Sequence, residues 1–182
     1  PEPLHLQLQR AVAQGDIDEV EKLLKNGARP DRGSLLMGAA RNGDVAIAKA
    51  LLEYGASTRT VDADGATPLL AAVRAGHTGV VRELLAAGAS VSRSLVRSFF
   101  LADLSPALKA WSEGLPKLEC LKRATAKGEL SPMLVALVVG ANDVIAALLE
   151  HKASLAKDAC ARKLANYMGD ADIVALLMDR AE

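Results

Sequence analysis

The chain has 182 residues, of which 51% are hydrophobic, and its 22 Lys and Arg residues balance 22 Asp and Glu residues. The length fits one large domain or two small ones, and the neutral total excludes a global field that would attract nucleic acid or an acidic membrane surface. Two Phe, two Tyr and one Trp leave Ala, Leu and Val to fill the core. We therefore expect helices that pack on helices through small side chains.

A unit of two short helices recurs along the chain, with a glycine where its first helix ends. Recurrence at intervals of about 30 residues indicates a repeat architecture. The glycines that hold this place are Gly15, Gly43, Gly76, Gly140 and Gly169. In chain order, the predicted units cover about 4–31, 33–60, 62–92, a degenerate 94–115 with an extra helix over 116–127, then 131–156, and a C-terminal cap over 158–182.

The third unit shows the internal pattern most completely. Thr67 can accept a hydrogen bond from the orphan amides at a helix start, and Pro68 follows at the first helical position, where a missing N–H is tolerated. The first helix then ends at Gly76, which can adopt a positive φ. A second helix carries apolar residues such as Leu84 at helical spacing and ends at Gly88.

This unit, "DADGATPLLAAVRAGHTGVVRELLAAGASV" over 62–91, resembles the ankyrin repeat. The Thr-Pro-Leu opening, the central Gly-His and the closing Leu-Leu-x-x-Gly-Ala occur together, and parts of this pattern recur in the other units. The resemblance implies an all-α fold, a single ankyrin-repeat solenoid of about five to six helix pairs with one degenerate repeat that carries an insertion. Leu70 replaces the histidine that usually follows Thr-Pro-Leu in this family. That histidine normally links neighbouring repeats by hydrogen bonds, so apolar packing should contribute more to the stacking of repeats in this chain.

The pattern breaks between 92 and 132, where helical periodicity remains without the repeat signature. A shortened unit fits if 95–102 is its inner helix and its outer helix runs from Ser105 through Trp111. The large side chains in this segment can simply fill gaps left by irregular stacking. In the alternative interpretation, Trp111 or Phe99 is an exposed anchor for a partner, because aromatic residues are enriched at interface hot spots.

No constellation of residues indicates catalysis. His5, His77 and His151 lie in different units, without a Ser-His-Asp or Cys-His arrangement. The family resemblance gives His77 a structural hydrogen-bonding role. The stretches "GDIDEV" and "GDADIV" are typical of helix N-termini, and no glycine precedes the Lys-Ser or Lys-Thr of a phosphate loop. We expect no enzymatic activity, no cofactor and no metal site.

Compartment is predicted from what the sequence lacks. Cys120 and Cys160 are far apart and have no metal-ligand spacing, so we interpret them as free thiols in a reducing environment. Neither a signal-peptide pattern nor a membrane-spanning apolar run is present in the sequence. We expect a cytoplasmic protein without membrane contact. The start "PEP" without an initiator Met suggests a fragment of a longer protein.

The family resemblance implies that partners bind in a concave groove lined by the inner helices and by the loops, or fingers, that connect the repeats. Arg41 and Arg74 hold equivalent places in adjacent repeats, so we expect their guanidinium groups to project side by side. Because Arg offers a fixed fork of donors, the groove should prefer an acidic protein surface. A solvated Arg face without any partner is the alternative. The predicted partner-binding residues are Arg32, Arg41, Asn42, Arg59, Asp64, Arg74, Arg93, Trp111 and Tyr167.

Further along, Val138 and Val139 should make the C-terminal half of the groove less polar. The predicted function is a monomeric, non-catalytic recognition module that binds a partner protein. One alternative is the substrate-recruiting domain of a larger bacterial effector enzyme delivered into a host cytosol, because the irregular fourth unit is loosely similar to ankyrin tails of effectors that ADP-riboxanate host caspases. Another is a structural spacer or self-assembling scaffold.

Overall fold

A computed structural model describes residues 2–31, 34–91, 94–95 and 129–151 of the chain. The chain divides into two compact units, one comprising 1–62 and 67–90, the other 63–66 and 91–182. Over the described ranges the secondary structure consists of eight helices and two strands of two residues each. The all-α class that the sequence predicts is confirmed.

The first unit consists of three helix pairs. Its helices are α1 (Leu4–Gln14), α2 (Ile17–Lys25), α3 (Leu35–Asn42), α4 (Val45–Glu53), α5 (Pro68–Ala75) and α6 (Thr78–Ala86). The two helices of each pair pack against each other, and so do successive inner helices (α1, α3, α5) and successive outer helices (α2, α4, α6). Each pair thus buries its apolar face against the next pair, which is how a repeat array builds a continuous core.

Local signals set the bounds of the helices. Thr67 Oγ1 accepts a hydrogen bond from the amide of Leu70 at 3.3 Å, and Pro68 opens α5. The helix ends at Gly76, whose φ of 76° lies in the left-handed region that favours glycine. Its amide then reaches back to the carbonyl of Val73. The start and the end that the sequence predicts for this helix are both confirmed.

The core of the first unit is aliphatic, and small residues let the helices approach closely. Leu51, Leu70 and Leu84 are fully buried, so the position where the usual histidine is absent is filled by an apolar side chain. Between the outer helices, a Cβ added to Gly79 would lie 2.7 Å from Cγ2 of Val45. Any larger residue at Gly79 would therefore require the Val45 side chain to move.

The described part of the second unit contains strands β1 (Ser94–Leu95) and β2 (Glu129–Leu130) and helices α7 (Pro132–Val139) and α8 (Asn142–Glu150). The strands are antiparallel, with Ser94 opposite Leu130 and Leu95 opposite Glu129. The prediction that the inner helix of the degenerate repeat starts at residue 95 is therefore wrong. Leu95 lies in a strand because its backbone pairs with a segment more than thirty residues away. Local periodicity does not reveal such a distant partner.

Helix α7 differs from the inner helices of the first unit because residues on all of its faces are buried. Every residue from Pro132 to Val138 is buried, and Val138 is 3% exposed. A helix that is apolar on all faces is stable only when all of them are covered. The expectation that Val138 lines an accessible apolar half of the groove is therefore wrong, whereas Val139 is half-buried.

Candidate functional site

Arg41 lies in the corner between inner helix α3 and the finger that follows α4. Its Nη2 donates to Oδ2 of Asp62, a residue of that finger, at 2.6 Å. Helical side chains lean toward the N-terminus of their own helix, which carries the guanidinium of Arg41 from the last turn of α3 toward the finger. The structure thus places Arg41 on the face where inner helices and fingers meet.

The Arg41–Asp62 ion pair leaves the cation more accessible than the anion. The Arg41 side chain is 48% exposed, whereas that of Asp62 is 14% exposed. Guanidinium offers five N–H donors, and Asp62 engages it through one nitrogen. An ion pair this accessible contributes about 0.2–1 kcal/mol. Arg41 therefore keeps donors that face solvent, although Asp62 offsets part of its charge.

Arg74 holds in α5 the place that Arg41 holds in α3, two residues before the glycine that ends the helix. Helices α3 and α5 pack directly against each other. Arg41 and Asn42 are exposed, and Arg74 is half-buried with an interaction inside the chain. The two arginines thus come from equivalent positions on neighbouring inner helices, as the sequence predicts.

The fingers of the first unit add further arginines and are tied to each other. Arg29 and Arg59 are exposed, and Val61 has 56% exposure. Oδ1 of Asp31 accepts a hydrogen bond from the amide of Ser57 at 2.8 Å, which links the finger after α2 to the finger after α4. This carboxylate therefore serves a structural contact between fingers.

His77 ties two consecutive helix pairs together. Its Nε2 lies 3.1 Å from the carbonyl oxygen of Arg41, and because a carbonyl can only accept, Nε2 carries the proton and donates. The ring covers Gly43, where an added Cβ would lie 2.7 Å from Nδ1 of His77. The structural hydrogen-bonding role that the sequence predicts for His77 is confirmed. The contact also fixes the backbone of Arg41.

The acidic pattern that opens α2 is a helix cap. Oδ1 of Asp16 accepts from the amide of Glu19 at 3.1 Å, which confirms the prediction made from "GDIDEV". On the outer face of this helix, the hydrogen bond that Lys22 donates to Glu19 raises the pKa of Lys22, and the one that Lys25 donates to Glu21 raises the pKa of Lys25. Within the described ranges, no three His, Cys, Asp or Glu side chains form a group suited to a metal ion.

Several predicted features lie outside the described residues. These are Arg32, Arg93, Trp111, Tyr167, both cysteines, the extra helix over 116–127, the motif "GDADIV" and the cap over 158–182. Asp64 is described, is half-buried and has an interaction inside the chain. None of the helices in the described ranges has the length and apolarity needed to cross a bilayer.

Sequence reasoning missed the part that Asp62 plays. Asp62 stands 21 residues after Arg41, and no periodic pattern connects a helix residue to a finger residue at that separation. The signal that could have found it is the repeat itself. Once α3 and the following finger are placed side by side, an acidic residue at the base of the finger is within reach of a long basic side chain on the helix.

Comparison with known proteins identifies the repeats. Residues 8–94 match the family described as ankyrin repeats (3 copies), the range that contains most of the six helices of the first unit. An L-asparaginase of Dirofilaria immitis is 46% identical over 56 residues, which is 31% of this chain and 10% of that protein. The chain thus spans about a tenth of the length of this relative. Residues 8–94 of the chain are ankyrin repeats.

Proposed function

We propose that this chain is a non-catalytic recognition module that binds an acidic surface of another protein through its inner helices and fingers. Ankyrin repeats are generally protein–protein interaction modules, and the family is generally non-catalytic. The binding surface, called the arginine groove, consists of the exposed faces of α3 and α5 together with the finger after α2 and the finger after α4. Its arginines are Arg29, Arg41, Arg59 and Arg74.

The observation that carries this proposal is the unequal exposure of the two signs of charge. Arg41 presents 48% of its side chain to solvent, and the Asp62 carboxylate that it binds is largely covered at 14%. The exposed carboxylate of Asp31 is already engaged by the amide of Ser57. A chain that is neutral overall therefore presents guanidinium groups on this face, and guanidinium pairs well with carboxylates.

The helical framework makes this surface suitable for recognition. The inner helices are packed on both their outer partners and their neighbours, and His77 fixes the end of α3. A surface that is already ordered loses little conformational entropy when a partner binds. Exposed Val61 beside Asp62 adds an apolar contact point at the edge of the charged face.

Affinity capture from cell lysate with mass spectrometry tests the proposal. The bait carries Arg41→Glu and Arg74→Glu, and a matched control carries Lys49→Glu and Arg82→Glu on the exposed side of α4 and α6. Both variants change the net charge equally. We expect a protein that the wild type and the control retain and the groove variant loses. Identical retention by all three baits would show that the arginine groove is not the contact.

A second candidate function is recruitment of a substrate to an enzyme encoded in the same reading frame. The observation that favours it is that the similar segment makes up 10% of a relative that is named as an enzyme. The complete reading frame shows whether a catalytic domain is encoded together with this chain, and so decides between the two candidate functions. We propose no asparaginase activity for this chain, and ammonia release from asparagine by the purified chain would contradict the non-catalytic proposal.

We further propose that the protein is a monomer and that it is cytoplasmic. All four arginines of the groove lie on one chain, so binding through the arginine groove requires no second copy. Sedimentation equilibrium at several concentrations measures the mass. A mass that rises with concentration would favour a self-assembling scaffold over a monomeric module.

A further inference from the structure

The spacing of Arg41 and Arg74 limits the ligands that can reach both. They occupy equivalent turns of α3 and α5, which pack directly against each other. The axes of packed helices lie about 8–10 Å apart, so the two side chains leave the groove floor at about that separation. A ligand that uses both arginines must present two carboxylates on one face at a similar distance.

Two contacts position Arg41. Asp62 holds its guanidinium through Nη2, and His77 holds its carbonyl oxygen through Nε2. A free arginine side chain adapts its reach through several rotatable bonds, and the contact with Asp62 favours one of these conformations. Asp62 and His77 therefore act as positioning residues for Arg41.

Regular peptide conformations differ in how well they match the spacing. A polyproline II segment has three residues per turn and rises about 3.1 Å per residue, so residues three apart lie on one face about 9 Å apart. Same-face residues of a β-strand lie about 7 Å or about 13 Å apart. In an α-helix, residues seven apart are about 10.5 Å apart, with other same-face side chains between them.

We propose that the segment recognised by the arginine groove is an extended, polyproline-type stretch with two acidic residues three positions apart, one bound by Arg41 and the other by Arg74. This inference rests on the proposed function, since it specifies the acidic partner that the groove takes. The intervening residues face away from the inner helices and are not selected. Proline at these places stabilises the binding conformation.

The test is an NMR titration of the ¹⁵N-labelled full chain with capped synthetic peptides. Their central sequences are Glu-Pro-Pro-Glu, Glu-Pro-Glu, Glu-Pro-Pro-Pro-Glu and Gln-Pro-Pro-Gln, each flanked by prolines, and an alanine-based helical peptide carries Glu residues seven apart. At an ionic strength of about 0.1 M, charges more than about 10 Å apart are screened. We expect the dissociation constant of Glu-Pro-Pro-Glu to be lower than that of the other peptides by about fivefold.

Variants separate the spacing from general charge attraction. Arg74→Glu should abolish the preference for Glu-Pro-Pro-Glu. Asp62→Asn, which keeps the shape of the side chain, should reduce the preference among the three proline-based acidic peptides while the melting temperature stays close to wild type. A purely structural role for Asp62 would leave the ratios of the dissociation constants of these three peptides unchanged, and such a result would overturn its positioning role.

The outcomes distinguish failure of the inference from failure of the proposed function. Equal affinities for the three proline-based acidic peptides, lost in the Arg41→Glu, Arg74→Glu variant, would overturn the spacing and keep the acidic groove. Tighter binding of the helical peptide would overturn the polyproline-type geometry. If no acidic peptide bound the wild type more tightly than Gln-Pro-Pro-Gln, both the inference and the acidic groove would be wrong.

Discussion

His77 and Arg41 are joined across two consecutive repeats by a hydrogen bond of 3.1 Å from Nε2 to the main-chain carbonyl oxygen. His77 stands at the start of α6, and Arg41 lies in the last turn of α3. The carbonyl groups at a helix C-terminus lack partners within the helix, so this bond satisfies a group that would otherwise need water. One contact therefore serves both the stacking of repeats and the placement of a groove arginine.

Replacing His77 by Ala should destabilise the fold by about 1 kcal/mol, because it removes a hydrogen bond and the ring that covers Gly43. The free energy of unfolding from urea denaturation measures the loss. His77→Gln is the conservative control, since its side-chain amide can donate to the same carbonyl, and it should recover part of the difference. Equal stability of wild type and His77→Ala would show that the bond does not support the array.

Gly43→Ala should be more damaging than Gly15→Ala. Both glycines have positive φ, 84° and 73°, so each substitution costs about 1–2 kcal/mol of backbone strain. Only at Gly43 would the new Cβ also meet a neighbour, 2.7 Å from Nδ1 of His77, whereas nothing lies within 4 Å of that position at Gly15. Thermal unfolding of the two variants provides the comparison. Similar losses would mean that the His77 ring moves aside freely.

Thr67→Ala should cost about 1 kcal/mol, because the hydroxyl accepts a hydrogen bond from the amide of Leu70 at the start of α5. Ser34 also precedes a helix, α3, but its φ of 56° lies in the left-handed region and its side chain makes no such cap, so Ser34→Ala should change stability by about 0.5 kcal/mol or less. Chemical denaturation of both variants checks this difference. A larger effect at Ser34 would contradict the capping assignment.

Leu84→Ala should destabilise by about 2–5 kcal/mol through a cavity in the core, since Leu84 is fully buried. Leu4 is 41% exposed, and Leu4→Ala should cost about 0.5 kcal/mol or less. The same unfolding measurement on the Arg41→Glu, Arg74→Glu variant provides a check on the groove. If that variant unfolded as readily as Leu84→Ala, the two arginines would be structural residues.

The parts of the fold that local rules determine could be predicted from the sequence. Thr67, Pro68 and Gly76 act within a few residues of where they stand, so the start and end of α5 followed from residue types. His77 was assigned its structural role from its place in the repeat. The equivalent places of Arg41 and Arg74 on neighbouring inner helices could be predicted in the same way, because equivalent positions in stacked helices become neighbours.

The features that sequence reasoning missed depend on contacts between distant residues. Leu95 lies in a strand because it pairs with Glu129, and the helical periodicity around it does not reveal that partner. Val138 occupies the same helical position as Arg41, yet it is buried, and an apolar pattern alone does not say which faces of α7 are covered. The Asp62 contact of Arg41 depends on where a finger folds relative to a helix.

A charge-swap experiment on the captured partner tests the central claim most directly. Acidic residues of the partner's contact segment are changed to Lys, and binding to the wild type and to the Arg41→Glu, Arg74→Glu variant is measured by titration calorimetry. We predict that the swapped partner loses affinity for the wild type and regains it for the variant, because the ion pairs are re-formed with reversed signs. Loss of binding to both chains, or undiminished binding to both, would contradict recognition through the arginine groove.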